Sequence, residues 1–274
     1  MTGSNRKDLA AIDRERAAAV AAFDERYGAD LRFAPILVVI PAFNEEDSLG
    51  QVLEAIAPEV HGLAVDVVVV DDGSSDGTSA VAEKYDHVRV ARLANNSGQG
   101  AAFRVGYQLA ADHGADYVVT LDADMQWDPR EMPTVTEPLL AGEADFVLGS
   151  RVLGAAETDD AIRHAGVRLY GRMVSLLTGV TVTDTSSGYR AFRTEVGVRV
   201  PQTQPQYQSS ELLIGAIYQG YRIAERPITM HKRFAGVSKK GHNLRYGARY
   251  GRVIVTTWWR ERSRARHEGR RAGR

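Results

Sequence analysis

Two aspartates separated by one residue, Asp122 and Asp124, are the side chains of this sequence best suited to hold a metal ion. They follow Tyr117–Leu121, an apolar run that predicts a buried strand, so both carboxylates would lie at the turn that ends it. Hard oxygen ligands select Mg²⁺ or Mn²⁺, which keep positions open for diphosphate oxygens. The amide oxygen of Gln126 is a candidate third ligand. Asp-x-Asp is also a common surface turn, but its place after a strand favours the metal site.

A second acidic pair, Asp71-Asp72, ends the apolar run Val67–Val70. The residues that follow this pair include Ser75 and Asp76, either of which could cap the next helix. Capping does not account for the adjacent acids, which suit hydrogen bonds to a base or a ribose. The sequence has neither the G-x-G-x-x-G turn of nicotinamide dinucleotide sites nor a P-loop. Without such a glycine cradle, a metal ion is the natural partner of a diphosphate.

Apolar runs alternate with amphipathic segments along the first half of the chain, which predicts βαβ units and a mostly parallel sheet. The predicted strands are Ile36–Ile40, Val67–Val70, Val88–Leu93, Tyr117–Leu121 and Phe146–Leu148, with extended pieces at Tyr189–Phe192 and Ile223–His231. The predicted helices are 7–27, 48–56, 78–85, 100–113 and 162–177. Ligands of such sheets bind at the carboxyl ends of the strands. The acidic pairs and Asn44-Glu45 therefore converge on one edge.

Several motifs, taken in order, resemble glycosyltransferase family 2 with the GT-A fold over about residues 36–240. They are PAFNEE from Pro41, VVVVDDGSSDGT from Val67, Asn96-x-Gly98-x-Gly100, LDADMQ-x-DP from Leu121 and Gly149-Ser150-Arg151. Within that family the chain is most similar to the dolichyl-phosphate and polyprenyl-phosphate sugar synthases. Three further segments carry this closer likeness: LDADMQWDP, DTSSGYRAFR (Asp184–Arg193) and Arg233-x-x-Gly236-x-Ser238-Lys239.

The resemblance implies roles for individual residues. The nucleoside pocket would be lined by Pro41, Phe43, Glu45 and Asp72. The metal and its diphosphate would be held by Asp122, Asp124 and Gln126. Donor or acceptor phosphates would face Arg151, Arg233 and Lys239, while Asp184 to Tyr189 would shape the sugar and acceptor side. The expected cofactor is Mg²⁺ or Mn²⁺, and the expected donor is a nucleoside-diphosphate sugar.

The acceptor is left open between a polyprenyl phosphate and a hydroxyl group of a glycan, a glycolipid or a small metabolite. Glu211 lies where many family 2 enzymes carry a general base for hydroxyl acceptors, but it also suits the first turn of a helix. A phosphate acceptor is already an anion and needs no base. The synthases usually place a serine four residues after an arginine, and here Val167 follows Arg163, which weakens the phosphate assignment.

The amino-acid composition limits these interpretations. With 44% hydrophobic and 25% charged residues the chain is an ordinary globular protein, and the lack of cysteine excludes disulfides and thiolate chemistry. The first thirty residues lack the apolar segment of a secretory signal, so we expect a cytoplasmic protein. We predict a single α/β GT-A domain, with a Rossmann-like mostly parallel sheet flanked by helices, at 34–241. It carries an N-terminal helical extension at 1–33 and a basic C-terminal helix and tail at 242–274.

Charge and apolar spacing in the C-terminal segment indicate a membrane-facing or a packing role. Residues 222–274 hold 16 Lys or Arg against 3 acids. Apolar positions recur there at helical spacing, with arginines between them: Tyr246, Tyr250, Val253, Ile254 and Trp258. This pattern suits a helix that binds peripherally at the inner face of the cell membrane or to a membrane protein. It suits equally a helix that packs on the sheet. No nucleic-acid partner is expected.

Two other classes of protein fit less well. Nucleotidyltransferases also join α/β nucleotide domains to metal carboxylates, but they usually open with a glycine-rich, lysine-containing loop, which PAFNEED is not. A non-catalytic nucleotide-sugar binding module would not need both the intact carboxylates and the basic segment. We therefore expect an inverting, metal-dependent transferase of the hexosyltransferase kind.

Overall fold

The computed structural model describes residues 3–157, 160–204, 206–233 and 243–272. The strands are β1 (Ile36–Ala42), β2 (Glu59–Val60), β3 (Leu63–Asp71), β4 (Val88–Arg92), β5 (Tyr117–Thr120), β6 (Phe146–Ala156), β7 (Arg190–Arg193) and β8 (Ile223–Met230). The helices are α1 (Gly3–Tyr27), α2 (Leu49–Ala55), α3 (Thr78–Ala82), α4 (Gln99–Asp112), α5 (Met132–Leu140), α6 (Ala161–Thr178), α7 (Thr194–Arg199), α8 (Gln208–Tyr218) and α9 (Asn243–Ala272). A 3-10 turn, Pro129–Glu131, precedes α5.

The strands form one sheet in the order β4-β3-β1-β5-β7-β6-β8, with the short β2 also pairing with β3. Strands β4, β3, β1 and β5 are mutually parallel, β7 runs against both of its neighbours, and β6 is parallel to β8. The sheet is therefore mostly parallel, as the sequence predicts. Because Ala42 pairs with Asp71 and Asp71 with Arg92, the carboxyl ends of β1, β3 and β4 meet at one edge.

Both faces of the sheet are covered, which explains why β1 is apolar throughout. Alternate residues point to opposite faces of a strand. Leu37 and Val39 pack into the core on one face, and Val38 and Ile40 into the core on the other. Helix α4 lies very close to β1, since a β-carbon at Gly106 would be 2.2 Å from Val39 Cγ1. A larger residue at position 106 would push the helix away from the sheet.

The terminal helices pack into the same body. Phe23 of α1 is buried, and Asp24 accepts from the His113 ring at 3.0 Å. In α9, Tyr250, Val253 and Ile254 are buried. Side chains of α9 are described for residues 247–267, so Tyr246 lies outside those described. Of the two roles considered for this apolar stripe, packing is the one observed for the three buried residues. The domain boundaries at 33/34 and 241/242 remain predictions.

Several element ends differ from those predicted, and α1 and β3 each begin four residues earlier, at Gly3 and Leu63. Strand β6 continues to Ala156, well beyond Leu148, with a register irregularity between Ser150 and Ala155. Polar residues beyond Gly149 hide this extension from an apolar-run criterion. Helix α3 ends at Ala82, short of the predicted Tyr85. In the described part of the chain, no helix is both long and apolar enough to span a membrane.

Candidate active site

Two loops at the carboxyl edge of the sheet are fastened to each other. After β1, the Asn44 backbone N–H donates to Ser74 Oγ at 3.0 Å, and Asn44 Oδ1 accepts from the Ser75 backbone at 2.9 Å. The Glu45 backbone donates to Thr78 Oγ1 at 2.9 Å. Asn44 adopts a positive φ of 52°, which asparagine tolerates better than most residues. The polar PAFNEE and DDGSSDGT motifs therefore form one rigid ledge beside the sheet.

Asp72 lies on this ledge with both carboxylate oxygens engaged. The backbone N–H groups of Ser97 and Gly98 donate to Oδ1 and Oδ2, each at 2.8 Å. Burial raises the pKa of Asp72 to about 6, although the two donors act to lower it. The sequence predicts a contact with a base or ribose. The geometry gives Asp72 a loop-anchoring role at the start of α4 and leaves each oxygen a second lone pair for a ligand.

The neighbouring Asp71 is wholly buried and serves the loop itself. It accepts from the Ser74 backbone at 2.7 Å and from Arg92 Nη1 at 2.8 Å, and also from the Ser79 hydroxyl. Of the other predicted nucleoside residues, Pro41 is buried in β1, where it pairs with Val70, and Phe43 is partly exposed. The ledge thus brings Pro41, Phe43 and Glu45 to the same edge as Asp72, as predicted.

Asp122 and Asp124 lie at the end of β5, as the Asp-x-Asp spacing predicts. Asp122 accepts from Gln99 Nε2 at 2.8 Å and from Trp127 Nε1 at 3.1 Å. Asp124 accepts from the Gln126 backbone at 3.0 Å. Gly188 packs directly over Asp122, because a β-carbon there would lie 2.5 Å from Asp122 Oδ2. This close approach explains a glycine at the entry to β7.

The acid pair fits a divalent cation. Burial raises the pKa of Asp124 to about 6, and the charge of Asp122 adds to the shift while Arg233 opposes it. A cation between such carboxylates would relieve this repulsion. The described residues contain no group of three acid or histidine side chains that could close a cage around a metal. Mg²⁺ and Mn²⁺ suit such an open donor set, since they retain waters or phosphate oxygens.

Arg233 bridges the two acidic regions. Its Nη2 lies 2.7 Å from Asp124 Oδ2, and its Nη1 lies 3.5 Å from Glu45 Oε1. The guanidinium therefore lies between Glu45 and Asp124, and the role toward a phosphate that the resemblance implies for it stays a prediction. Lys239, the other basic residue predicted on this side, lies outside the described residues.

Arg151 and Asp184 form a buried ion pair. Arg151 Nε donates to Asp184 Oδ2 at 2.6 Å, and Nη2 donates to Asp184 Oδ1 at 3.1 Å. Nη2 also donates to Ser186 at 3.0 Å, and the guanidinium lies 5.1 Å from the Trp127 ring centre. This fork geometry fixes the arginine rigidly. Arg151 therefore reaches the site already paired, which gives Asp184 a positioning role.

A cavity of about 410 Å³ opens beside the acid pair, between α6 and α9. Its apolar wall includes Phe103, Ile162, Val167 and Tyr170. Three guanidinium groups border it, those of Arg151, Arg163 and Arg190. Among the described residues that line it, Asp122 is the only acid. A smaller cavity of about 170 Å³ adjoins it and is lined by Arg151, Arg163, His164 and Arg168.

Arg190 is a site residue that the sequence reasoning does not single out. It is 1% exposed, donates to the Ser187 carbonyl through Nη2, and leaves Nε without a partner. Burial lowers its pKa. Among the described residues no carboxylate is hydrogen-bonded to it, although the charges of Asp122 and Asp184 favour its charged form. A fully buried cation in such surroundings is rare and costly. The available signal is a charged residue inside the otherwise apolar extended piece Tyr189–Phe192.

Glu211 lies apart from this cavity. Its carboxylate is wholly buried and accepts from the backbone N–H groups of Thr203 at 2.8 Å and Gln204 at 2.9 Å. Arg260 of α9 donates to the same carboxylate at 2.7 Å. Glu211 is not among the described residues lining the cavity. The geometry gives it a structural role that fastens α9 to α8.

Comparison with known proteins agrees with this geometry. The family described as Glycosyl transferase family 2 matches residues 37–197. A dolichyl-phosphate hexose transferase of Haloferax volcanii is 36% identical over 233 residues, covering 85% of this chain and 97% of the relative. A polyprenol monophosphomannose synthase of Mycolicibacterium smegmatis is 32% identical over 227 residues, covering 76% and 82%.

A similar fold occurs in solved structures. Glucosyl-3-phosphoglycerate synthase from Mycobacterium tuberculosis, in complex with Mn²⁺, uridine diphosphate and glucosyl-3-phosphoglycerate, superposes with a TM-score of 0.63. The two proteins are 23% identical, and the match covers 88% of this chain and 82% of that one. From its family match, its relatives and its sheet, the chain belongs to glycosyl transferase family 2 and has the GT-A fold.

Proposed function

We propose that this protein is an inverting, metal-dependent transferase that moves a sugar from a nucleoside-diphosphate sugar to a polyprenyl phosphate. The observation that carries the proposal is the lining of the 410 Å³ cavity. It combines an apolar wall with three arginines, and its one described acid, Asp122, belongs to the metal pair. Such a lining suits an anionic acceptor attached to an apolar chain.

The donor would bind along the ledge, with its diphosphate beside Arg233 and the acid pair. Asp122 and Asp124, with Gln126, would hold Mg²⁺ or Mn²⁺. When bound, that ion would stabilise negative charge on the leaving diphosphate. Arg233 would add a guanidinium at the same place, since Arg forks bind phosphate oxygens in pairs. The relatives' names describe mannose and hexose transfer, which supports a sugar as the transferred group.

The acceptor phosphate would lie against Arg151, Arg163 and Arg190. One of its oxygens would attack the anomeric carbon of the sugar as the bond from that carbon to the diphosphate breaks, which inverts the configuration. A phosphate oxygen is ionised near pH 7, so no general base is needed. The absence of an acid other than Asp122 from the described cavity lining fits this mechanism better than a hydroxyl acceptor. Polyprenol, dolichyl and undecaprenyl phosphates appear in the relatives' names.

The test is a transfer assay with purified protein, Mn²⁺, farnesyl phosphate and a panel of UDP- and GDP-sugars. We expect one donor to yield a farnesyl-phosphate sugar, detected by mass spectrometry. Asp124→Ala should abolish that product. The matched control is Asp112→Ala, which removes an acid on α4 that contacts Gln108. No product with any donor, from protein that binds nucleotide normally, would overturn the proposal.

A further inference from the structure

An unusual surface lies on the outer side of α6 and α9. Five large apolar side chains on these helices are exposed: Ile162, Leu169, Leu176, Val255 and Trp259. Leu176 is 86% exposed and Trp259 67%. Residues at i, i+7 and i+14 share one face of a helix, so Ile162, Leu169 and Leu176 form one stripe. Val255 and Trp259, four residues apart, form another.

The two stripes lie next to each other. The Tyr170 and Tyr250 rings are 5.0 Å apart, and Trp258 Nε1 donates to the Leu177 carbonyl at 2.7 Å. From the first of these contacts to the second, the chain advances seven residues in α6 and eight in α9. The two helices therefore run side by side in the same direction. Their inner faces are buried, so their outer faces look to the same side. We name this surface, with its five apolar residues, the α6–α9 face.

Arginines surround the apolar stripes. Six of them are exposed on the outer parts of the two helices: Arg168, Arg172, Arg249, Arg252, Arg262 and Arg266. Arg262 lies over the Trp258 ring at 5.0 Å. Helix α6 contains no acidic residue, and the one acid among the described side chains of α9, Glu261, is buried against Arg260 and Arg264. The α6–α9 face therefore combines exposed apolar groups with a one-sided positive charge.

The position of this face is informative. Ile162 belongs both to the α6–α9 face and to the lining of the 410 Å³ cavity. Ala248 of α9 also lines the cavity and is exposed. The mouth of the cavity thus borders the surface. A lipid chain that leaves the cavity here would pass directly into whatever layer covers the α6–α9 face.

We propose that the α6–α9 face docks on an anionic lipid bilayer. Trp and Leu side chains would enter the headgroup region while the arginines meet anionic headgroups. A second copy of this chain is a poorer occupant, because a symmetric contact would bring two sets of six arginines together. The biological purpose of this docking rests on the proposed function, because docking would bring a lipid acceptor to the cavity. The binding itself does not depend on transfer.

The experiment is co-sedimentation of the full chain with vesicles of phosphatidylcholine alone, or mixed equally with phosphatidylglycerol. We expect binding to the anionic vesicles that weakens at high salt. The triple variant Leu169→Ser/Leu176→Ser/Trp259→Ser should bind on the order of tenfold more weakly. Arg252→Gln should weaken binding about fivefold, the equivalent of ~1 kcal/mol for one arginine near a charged surface.

The matched control is Val198→Ser, which changes an apolar residue of α7 that is 42% exposed and away from the face. It should bind vesicles as the unmodified protein does. Equal binding by the triple variant and the unmodified protein, or no binding by the unmodified protein, overturns the inference. A dimer in sedimentation velocity that the triple variant dissolves overturns it in favour of a second copy.

Transfer to farnesyl phosphate in detergent-free buffer, measured on the same samples, separates this inference from the proposed function. The triple variant should transfer normally, because none of its three residues lines the cavity. Vesicle binding that behaves as expected supports the docking surface even if no transfer is detected, in which case the proposed function alone fails.

Discussion

The proposed donor side and the proposed acceptor side of this site are built differently. On the donor side, loops are fastened to each other through backbone groups and short polar side chains, as Asn44 and Asp72 illustrate. On the acceptor side, arginines surround an open cavity, and Arg190 there keeps an unpartnered Nε. The proposed donor side is thus preorganised by hydrogen bonds within the chain, whereas the cavity is bordered by arginines, of which Arg151 is paired with Asp184 and Arg190 has one Nε without a partner.

This difference indicates which part of the molecule would select each substrate. Under the proposed function, the ledge would bind the nucleotide sugar, and the lining of the cavity, with its arginines and apolar wall, would set the acceptor class. Variants on the two sides should therefore fail in different ways.

The largest expected effect belongs to the acid pair. Asp122→Ala or Asp124→Ala should lower kcat/KM on the order of 10³-fold, because stabilisation of the leaving diphosphate by a metal is worth several kcal/mol. Steady-state transfer assays and nucleotide-sugar titration check this, with Asp112→Ala as the control. Full activity in EDTA, or normal activity of both variants, would contradict the metal mechanism.

On the acceptor side, Arg190→Met should lower transfer roughly 10²-fold, mainly through the acceptor, because one cation facing the phosphate is lost. Its melting temperature should stay level or rise, since a buried charge without a carboxylate partner is removed. The donor KM should hardly change. A lower melting temperature with unchanged transfer would assign Arg190 to a structural role.

Glu211→Gln tests whether the acceptor side contains a base. We expect a loss of about 1–3 kcal/mol in unfolding free energy, because Arg260 loses one of its two carboxylate partners and keeps Glu261. The folded variant should keep kcat within about threefold. Loss of a general base would instead cost ~10²–10⁴ in rate. Adding Arg260→Met should restore part of the stability, as measured by urea unfolding. An inactive but stable Glu211→Gln protein would favour a hydroxyl acceptor.

The smallest effect concerns pH and Asp72. Its folded pKa, about 6, lies above the usual value of 3.8. Its contribution to stability is therefore complete below about pH 4 and is lost as pH rises through 6. The unfolding free energy of the protein should fall, relative to Asp72→Asn, by about 2 kcal/mol between pH 4 and pH 6. Parallel curves for the two proteins would show that the carboxylate is not perturbed in this way.

Much of the donor side follows from the sequence alone. Buried parallel strands are recognisable in the sequence as apolar runs. Polar residues at their carboxyl ends, such as Asp122 and Asp124, lie at one edge of the sheet because of its topology. The direction in which each carboxylate points cannot be predicted from the sequence. Asp72 anchors the loop at Ser97 and Gly98, twenty-five residues away, and no local pattern encodes that choice.

The acceptor side is harder to predict because its contacts are distant in the chain. Glu211 pairs with Arg260, and Arg151 with Asp184. An apolar stripe on α9 predicts an amphipathic helix but not the surface it contacts. Tyr250 and Ile254 pack inward, whereas Val255 and Trp259, which the stripe leaves out, remain exposed. Only the fold distinguishes these two faces.

The most direct test of the central claim compares two acceptors that differ only in the phosphate. Transfer from the preferred nucleotide sugar is measured with farnesyl phosphate and with farnesol, under one set of conditions with Mn²⁺. We predict that kcat/KM for farnesyl phosphate exceeds that for farnesol by at least ~10³-fold, since the three cavity arginines favour an anion and the described cavity lining has no acid besides Asp122 to act as a base. Equal or faster transfer to farnesol would contradict a phosphate acceptor.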